Sequence, residues 1–138
     1  MTKQQDFSMW SVNFILFCLA NFLYYGAFYL YIPVLPQYVE MLGGTPADIG
    51  LVGGAFGLSS FIIRPYLGKL ANEWGRKRMM LLGAISFALL FLLFGRVTGV
   101  VPLVVLRLAH GVCLAMYLAA SAAYIADYAP VDRRGEVL

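Results

Sequence analysis

Charged side chains are scarce in this sequence. Lysine, arginine, aspartate and glutamate make up 12% of the 138 residues, whereas 62% are hydrophobic. A soluble domain contains about 25% charged residues and about 45–50% apolar ones. A compact core of this size cannot hide so much apolar surface. We therefore expect the excess to face lipid, in an integral membrane protein.

Residues that carry metal, disulfide or enzyme chemistry are also few. Cys18 and Cys113 each lie inside an apolar run, and the chain has one histidine. No GxSxG, HExxH or Walker motif occurs, and no pair of carboxylates lies within the apolar runs. The interleaved aromatic and basic residues of a nucleic-acid surface are missing too. The sequence predicts no enzyme, no metal site and no nucleic-acid partner.

Four apolar runs are present that reach the roughly 20 residues needed to cross a bilayer. They cover about 10–38, 46–70, 79–97 and 101–128. Thr45, Pro46 and Asp48 form a start signal for the second helix. Pro33 and Pro36 are expected to end the first. The first run is too long for the apolar core of a signal peptide.

Basic residues are concentrated on one side of these predicted helices. One side holds Lys3, Lys69, Arg76, Lys77, Arg78, Arg133 and Arg134, and the other holds Arg96 alone. Short loops rich in lysine and arginine face the cytoplasm. We therefore expect residues 1–9 to be a cytoplasmic N-terminus. Arg64 is expected to reach the membrane interface or to lie just inside it.

One face of the first helix collects polar and aromatic side chains at helical spacing. Its members are Asn13, Phe17, Asn21, Tyr24, Tyr25, Phe28 and Tyr31. Such a face either lines a polar-aromatic substrate cavity or forms hydrogen bonds between packed helices. Both interpretations stay open at this point.

The fourth helix carries Arg107 and His110 on the face that also holds Tyr117, Ser121 and Tyr124. An arginine within a span costs about 2.5–3.5 kcal/mol on insertion scales. Arg107 therefore faces water, a partner or a substrate, or else it extends to the membrane interface. His110 either titrates near neutral pH or is a hydrogen-bonded packing residue.

Three further features concern helix packing. Gly50, Gly53, Gly54 and Gly57 form overlapping GxxxG patterns, which predict close packing, either against a partner helix or at a sliding interface. The third helix has almost no polar residue beyond Ser86 and is expected to face lipid. Asp127 opposes the dipole at the end of the fourth helix, so we expect a cationic partner among residues 76–78.

Three motifs in this order resemble those of the major facilitator superfamily. The stretch GKLANEWGRKR at 68–78 resembles the family's signature between its second and third helices. Arg107 and Gly111 resemble the fourth-helix motif, and DYAPVDRRG at 127–135 resembles the loop after it. The phrases IPVLPQYVEMLGG and FIIRPYLGKLA are most similar to the drug/proton-antiporter branch.

The resemblance implies an all-α membrane fold of twelve helices built from inverted three-helix repeats. Residues 10–98 would form the first repeat, and residues 99–138 would form the first helix of the second repeat and the start of a cytoplasmic loop. The implied activity is proton-coupled efflux of small organic molecules by alternating access, in a bacterial inner membrane. Its partners would be the substrate, protons, lipid and the remaining helices. No cofactor beyond the proton motive force is implied.

The resemblance also assigns roles to residues. A cytoplasmic gate would comprise Gly68, Asn72, Gly75, Arg76, Lys77, Arg78 and Asp127. Arg76 would pair with Asp127 and with the family's acidic position, which is Asn72 here, so Glu73 is a possible substitute. The cavity and proton-coupling residues would be Asn21, Tyr24, Tyr25, Arg107 and His110. The family's first-helix acid is missing, because no acidic residue lies between Asp6 and Glu40.

Two other functions remain open from the sequence. One is a self-sufficient four-helix exporter that acts as an oligomer, although such exporters use a membrane-embedded glutamate in their first helix. The other is a non-transporting scaffold subunit whose glycine stripe is only an interaction face.

Overall fold

The computed structural model describes residues 11–128, and this part of the chain is all-α. The helices are α1 (Val12–Tyr31), α2 (Val34–Met41), α3 (Pro46–Trp74), α4 (Arg76–Leu93), which continues into a 3₁₀ turn (Phe94–Arg96), and α5 (Val100–Tyr128). Four of them, α1, α3, α4 with its 3₁₀ turn, and α5, are long and apolar enough to cross a membrane. The predicted all-α fold, with four helices that could cross a membrane, is confirmed. The predicted cytoplasmic N-terminus at 1–9 and the loop at 129–138, with Arg133 and Arg134, lie outside the described residues.

The first predicted span is two helices rather than one. Ser11 caps α1 by accepting a hydrogen bond from the Phe14 amide at 3.3 Å. The helix ends at Tyr31, and α2 begins after Pro33. Proline has no amide hydrogen and collides with the preceding turn, so Pro33 interrupts the helix. Pro36 lies in the first turn of α2, where a missing amide hydrogen leaves no bond unmade.

The second span begins where the sequence predicts. The Thr45 hydroxyl accepts from the Asp48 amide at 3.4 Å, and the Asp48 carboxylate accepts from the Thr45 amide at 2.7 Å. This reciprocal pair is a capping box, with Pro46 in the first helical position.

The far end of α3 differs from expectation. The helix runs through Pro65 and Gly68 to Trp74, and α4 begins at Arg76. Residues 68–74 of the charged stretch are therefore helical and belong to α3. The one residue between the two helices is Gly75, with φ +86°. Side chains rarely adopt that conformation, so glycine is required there.

Helix α5 is central among the described helices. Of its most apolar 18-residue stretch, 56% is buried, compared with 11% for α1. Three hydrophobic clusters surround it. The cluster near Gly75 contains Leu67, Met79 and Ala115. The cluster near Gly99 contains Val39, Val52 and Leu103. Between them, Phe28, Phe87 and Cys113 pack at mid-height. Buried clusters therefore lie along α5 from one end to the other.

Close helix contacts occur at Gly83 and Gly111. A Cβ atom on Gly83 would lie 2.9 Å from the Tyr117 backbone nitrogen, and one on Gly111 would collide with the Phe56 carbonyl. The stripe of Gly50, Gly53, Gly54 and Gly57 has no such neighbour within 4 Å among the described residues. Any partner of that stripe is therefore not one of these helices.

Candidate functional site

Arg76 connects α4 to α5 at the Gly75 end of the bundle. Its guanidinium forms an ion pair with the Asp127 carboxylate and donates a hydrogen bond to the Ala123 carbonyl. We call these three groups, Arg76, Asp127 and the Ala123 carbonyl, the α4–α5 latch. The pairing of Arg76 with Asp127 is the contact that the sequence predicts.

Helix dipoles explain why both charges need a partner. Arg76 is the first residue of α4, where the helix end is partly positive, and Asp127 is in the last turn of α5, where it is partly negative. Each charge is therefore destabilised by its own helix, by about 0.3–1 kcal/mol. Their pairing offsets both penalties and holds the two helix ends together.

The other residues of the predicted gate are exposed. Gly68 and Asn72 lie on α3, and Lys77 and Arg78 follow Arg76 on α4. Among residues 11–128 the only ion pair is that of Arg76 with Asp127, so Glu73 does not substitute for the missing acid at Asn72. The gating role of this group stays a prediction.

Arg107 is buried, with 3% of its surface exposed. Its guanidinium carbon lies 4.2 Å from the centre of the Phe56 ring and 5.6 Å from that of Tyr31. Its Nε donates to the Val52 carbonyl at 3.5 Å. The side chain therefore lies between α5, α3 and α1 rather than extending to the membrane interface.

His110 is fully buried among aromatic rings. Its ring lies 4.5 Å from Phe87 and stacks 5.1 Å from Phe94. Its Nε2 lies 3.1 Å from the Phe87 carbonyl. Because a carbonyl only accepts hydrogen bonds, this contact places a proton on Nε2 and leaves Nδ1 as the acceptor of the neutral ring. Among the described residues, His110 is thus a hydrogen-bonded packing residue.

The aromatic face of α1 packs mainly against α5 and α4. Tyr24 stacks on Tyr117 with ring centres 3.9 Å apart, and Phe17 stacks on Tyr124 at 5.2 Å. Tyr31 contacts Phe94 at 4.9 Å. Among residues 11–128, these rings therefore pack between helices, as the helix-packing interpretation predicts. A cavity role for Tyr24 stays a prediction.

Asn21 and Tyr25 lie at the edge of this packed face and are half-buried. The Asn21 amide donates to the Phe17 carbonyl of its own helix at 2.9 Å. Tyr25 meets Tyr117 edge-on at 6.5 Å. Both residues border the side of α1 that the described helices leave open.

Polar atoms in the buried interior remain without partners in the described part of the chain. They are the hydroxyls of Tyr24, Tyr31 and Tyr117, one terminal nitrogen of Arg107, and Nδ1 of His110. An unpaired buried polar group costs about 1–3 kcal/mol. These groups would gain stability from partners outside residues 11–128. No cluster of histidine, cysteine, aspartate or glutamate suited to a metal occurs within 11–128.

The sequence matches the family model of the Major Facilitator Superfamily over residues 17–138. The chain belongs to the major facilitator superfamily. It is 32% identical over 109 residues to Multidrug resistance protein 2 of Bacillus subtilis, covering 79% of this chain and 27% of that protein. It is 35% identical over 107 residues to Quinolone resistance protein NorA of Staphylococcus aureus, covering 78% of this chain and 28% of that one. The chain thus spans little more than a quarter of these relatives and aligns with their N-terminal part.

Members of the major facilitator superfamily are membrane transporters and not enzymes. Its sequence did not identify every residue of the site. Phe87 and Phe94, which enclose His110, were not distinguishable within a uniformly apolar third helix. Their spacing of seven residues, which repeats a helix face, was the available signal.

Proposed function

We propose that this chain forms the N-terminal part of a proton-coupled exporter of small organic molecules that works by alternating access. In this mechanism the two halves of a transporter rock around a site near the membrane midplane. Both relatives carry names of drug-resistance proteins, which favours export of organic compounds. The Gly75 end would face the cytoplasm of a bacterial inner membrane, because it carries Lys69, Arg76, Lys77 and Arg78.

The observation that carries this proposal is the α4–α5 latch. It joins the ends of two helices through side chains that are 26% and 60% exposed. Ion pairs of such exposure contribute only about 0–1 kcal/mol to stability. A contact this weak can open and close repeatedly, as a cytoplasmic gate must do in each transport cycle.

The buried polar atoms support a binding and coupling role in the interior of the bundle. Arg107 has no carboxylate partner among residues 11–128, although its charge is buried. A buried cation is stable only when it is paired or reaches water. We propose that its counterion comes from helices beyond this chain or from a transported molecule. Asn21, Tyr24, Tyr25 and His110 would border the same cavity.

Transport by the complete protein tests this function. The complete transporter, reconstituted in liposomes with an imposed pH gradient, is expected to move a fluorescent organic compound only while the gradient lasts. Arg76→Ala should lower the rate at least tenfold and leave membrane insertion unchanged. The control Lys69→Ala removes a charge near the same end, outside the latch, and should keep the rate within twofold.

Two outcomes would contradict the proposal. Unchanged transport kinetics in Arg76→Ala would show that Arg76 does not act in a cytoplasmic gate. Robust flux from this 138-residue chain alone would favour the self-sufficient four-helix exporter instead. We expect no flux from the chain alone, because the described helices enclose only part of a cavity wall.

A further inference from the structure

An open groove lies between α4 and α5 at the end of the bundle opposite the latch. Its volume is about 420 Å³. The last turns of α4, the 3₁₀ turn and the first turns of α5 form its walls. None of the residues assigned above to gating or coupling lines it. The groove is therefore separate from the proposed transport machinery.

The groove changes from polar to apolar along the direction that crosses the membrane. Arg96 and Thr98 lie at its outer end, where α4 gives way to α5, and both are exposed. Leu90 and Ala109 line the opposite end. The α5 wall runs from Pro102 to Ala109, which corresponds to about 10 Å of helix axis.

This order of surfaces matches a membrane lipid. A lipid places its charged headgroup at the membrane surface and its acyl chains towards the middle of the bilayer. Val105 and Leu93, on the groove walls, are 61% and 43% exposed. They form a continuous apolar track that begins below Arg96.

The charge at the mouth of the groove favours an anion. Arg96 has no ion-pair partner among the described residues. Arginine forms charge-assisted hydrogen bonds with phosphate.

We infer that this groove binds one anionic glycerophospholipid, with its phosphate on Arg96 and one acyl chain along Leu93 and Val105. The lipid covers apolar side chains that the last turns of α4 and the first turns of α5 leave exposed. It makes this end of the bundle sensitive to the content of anionic lipid in the membrane. The inference does not depend on the direction of transport or on proton coupling.

Native mass spectrometry of the detergent-purified protein tests the site. Phosphatidylglycerol is added to the delipidated protein, and phosphatidylcholine serves as the zwitterionic comparison. Arg96→Gln should lower retention of phosphatidylglycerol about fivefold, the effect of one cation near an anionic phosphate. Val105→Trp should obstruct the acyl track and lower retention of both lipids. Lys69→Gln, which removes an equal charge at the opposite end, should change neither.

Two further measurements distinguish a lipid from other occupants. Glycerol phosphate, which lacks acyl chains, should not displace the bound lipid. A photo-crosslinking residue at position 105 should label lipid in native membranes. Equal retention of phosphatidylglycerol by Arg96→Gln would overturn the inference. Displacement by glycerol phosphate, or a crosslink at position 105 to protein or to a transported compound, would overturn it as well.

Discussion

At the scale of single residues, the guanidinium groups of Arg76 and Arg107 lie in opposite environments. Arg76 is partly exposed and paired with Asp127, whereas Arg107 is buried against Phe56 and Tyr31, and one of its nitrogens has no partner among residues 11–128. The partner of Asp127 was predictable, because a carboxylate at a helix C-terminus needs a nearby cation. The environment of His110 was not, because Phe87 and Phe94 belong to another helix and reach it only through the tertiary packing.

Substitution of Arg107 distinguishes an effect on stability from an effect on transport. Arg107→Met keeps an unbranched side chain and removes a buried charge that has no carboxylate partner within 11–128. The substitution loses the stabilisation from the ring contacts and removes the cost of burying an unpaired charge. These two effects should nearly cancel, so we expect the free energy of unfolding to change by less than about 1 kcal/mol. Transport by the complete protein should fall at least tenfold. Thermal unfolding in detergent and the liposome assay measure the two quantities.

Lys69→Met, at an exposed site, is the matched control for the loss of a cation. It should change neither quantity appreciably. If Arg107→Met instead unfolded the protein while the folded fraction still transported at the normal rate, Arg107 would have a packing role alone.

At the scale of helices, tertiary contacts override local sequence signals. Pro33 ends α1 as its chemistry predicts, but α3 continues through Pro65 and Gly68 to Trp74. Leu67 and Ala71 are buried in the cluster beneath the latch, and this packing outweighs the weak helix propensity of glycine and proline. Sequence patterns therefore located the helices well but misplaced the junction between α3 and α4.

Two glycines in helix interiors, Gly111 and Gly57, should differ sharply in their tolerance of substitution. Gly111→Ala places a methyl group against the Phe56 carbonyl, which belongs to α3. Overpacking of this kind costs about 1–3 kcal/mol. Gly57→Ala meets nothing within 4 Å among the described residues and should leave stability equal or slightly higher. Thermal unfolding of the 138-residue protein in detergent provides the comparison, and equal losses for both variants would contradict the observed packing.

At the scale of the whole molecule, the chain presents large apolar surfaces around a central α5. Composition alone predicted the membrane class, and the motifs predicted the family. Neither predicted that the aromatic face of α1 would pack so largely against α5 and α4. The side chains of such a face are equally suited to a cavity wall and to a helix contact, and only the arrangement of neighbouring helices distinguishes the two.

The central claim is that the α4–α5 latch opens and closes during transport. Exchange of its charges in the complete transporter tests this claim most directly. Arg76→Asp and Asp127→Arg should each lower the transport rate more than tenfold, because each places two like charges together. The double variant Arg76→Asp/Asp127→Arg restores an ion pair and should recover at least a third of the normal rate. A double variant no more active than either single variant, with all three proteins inserted normally, would contradict the latch.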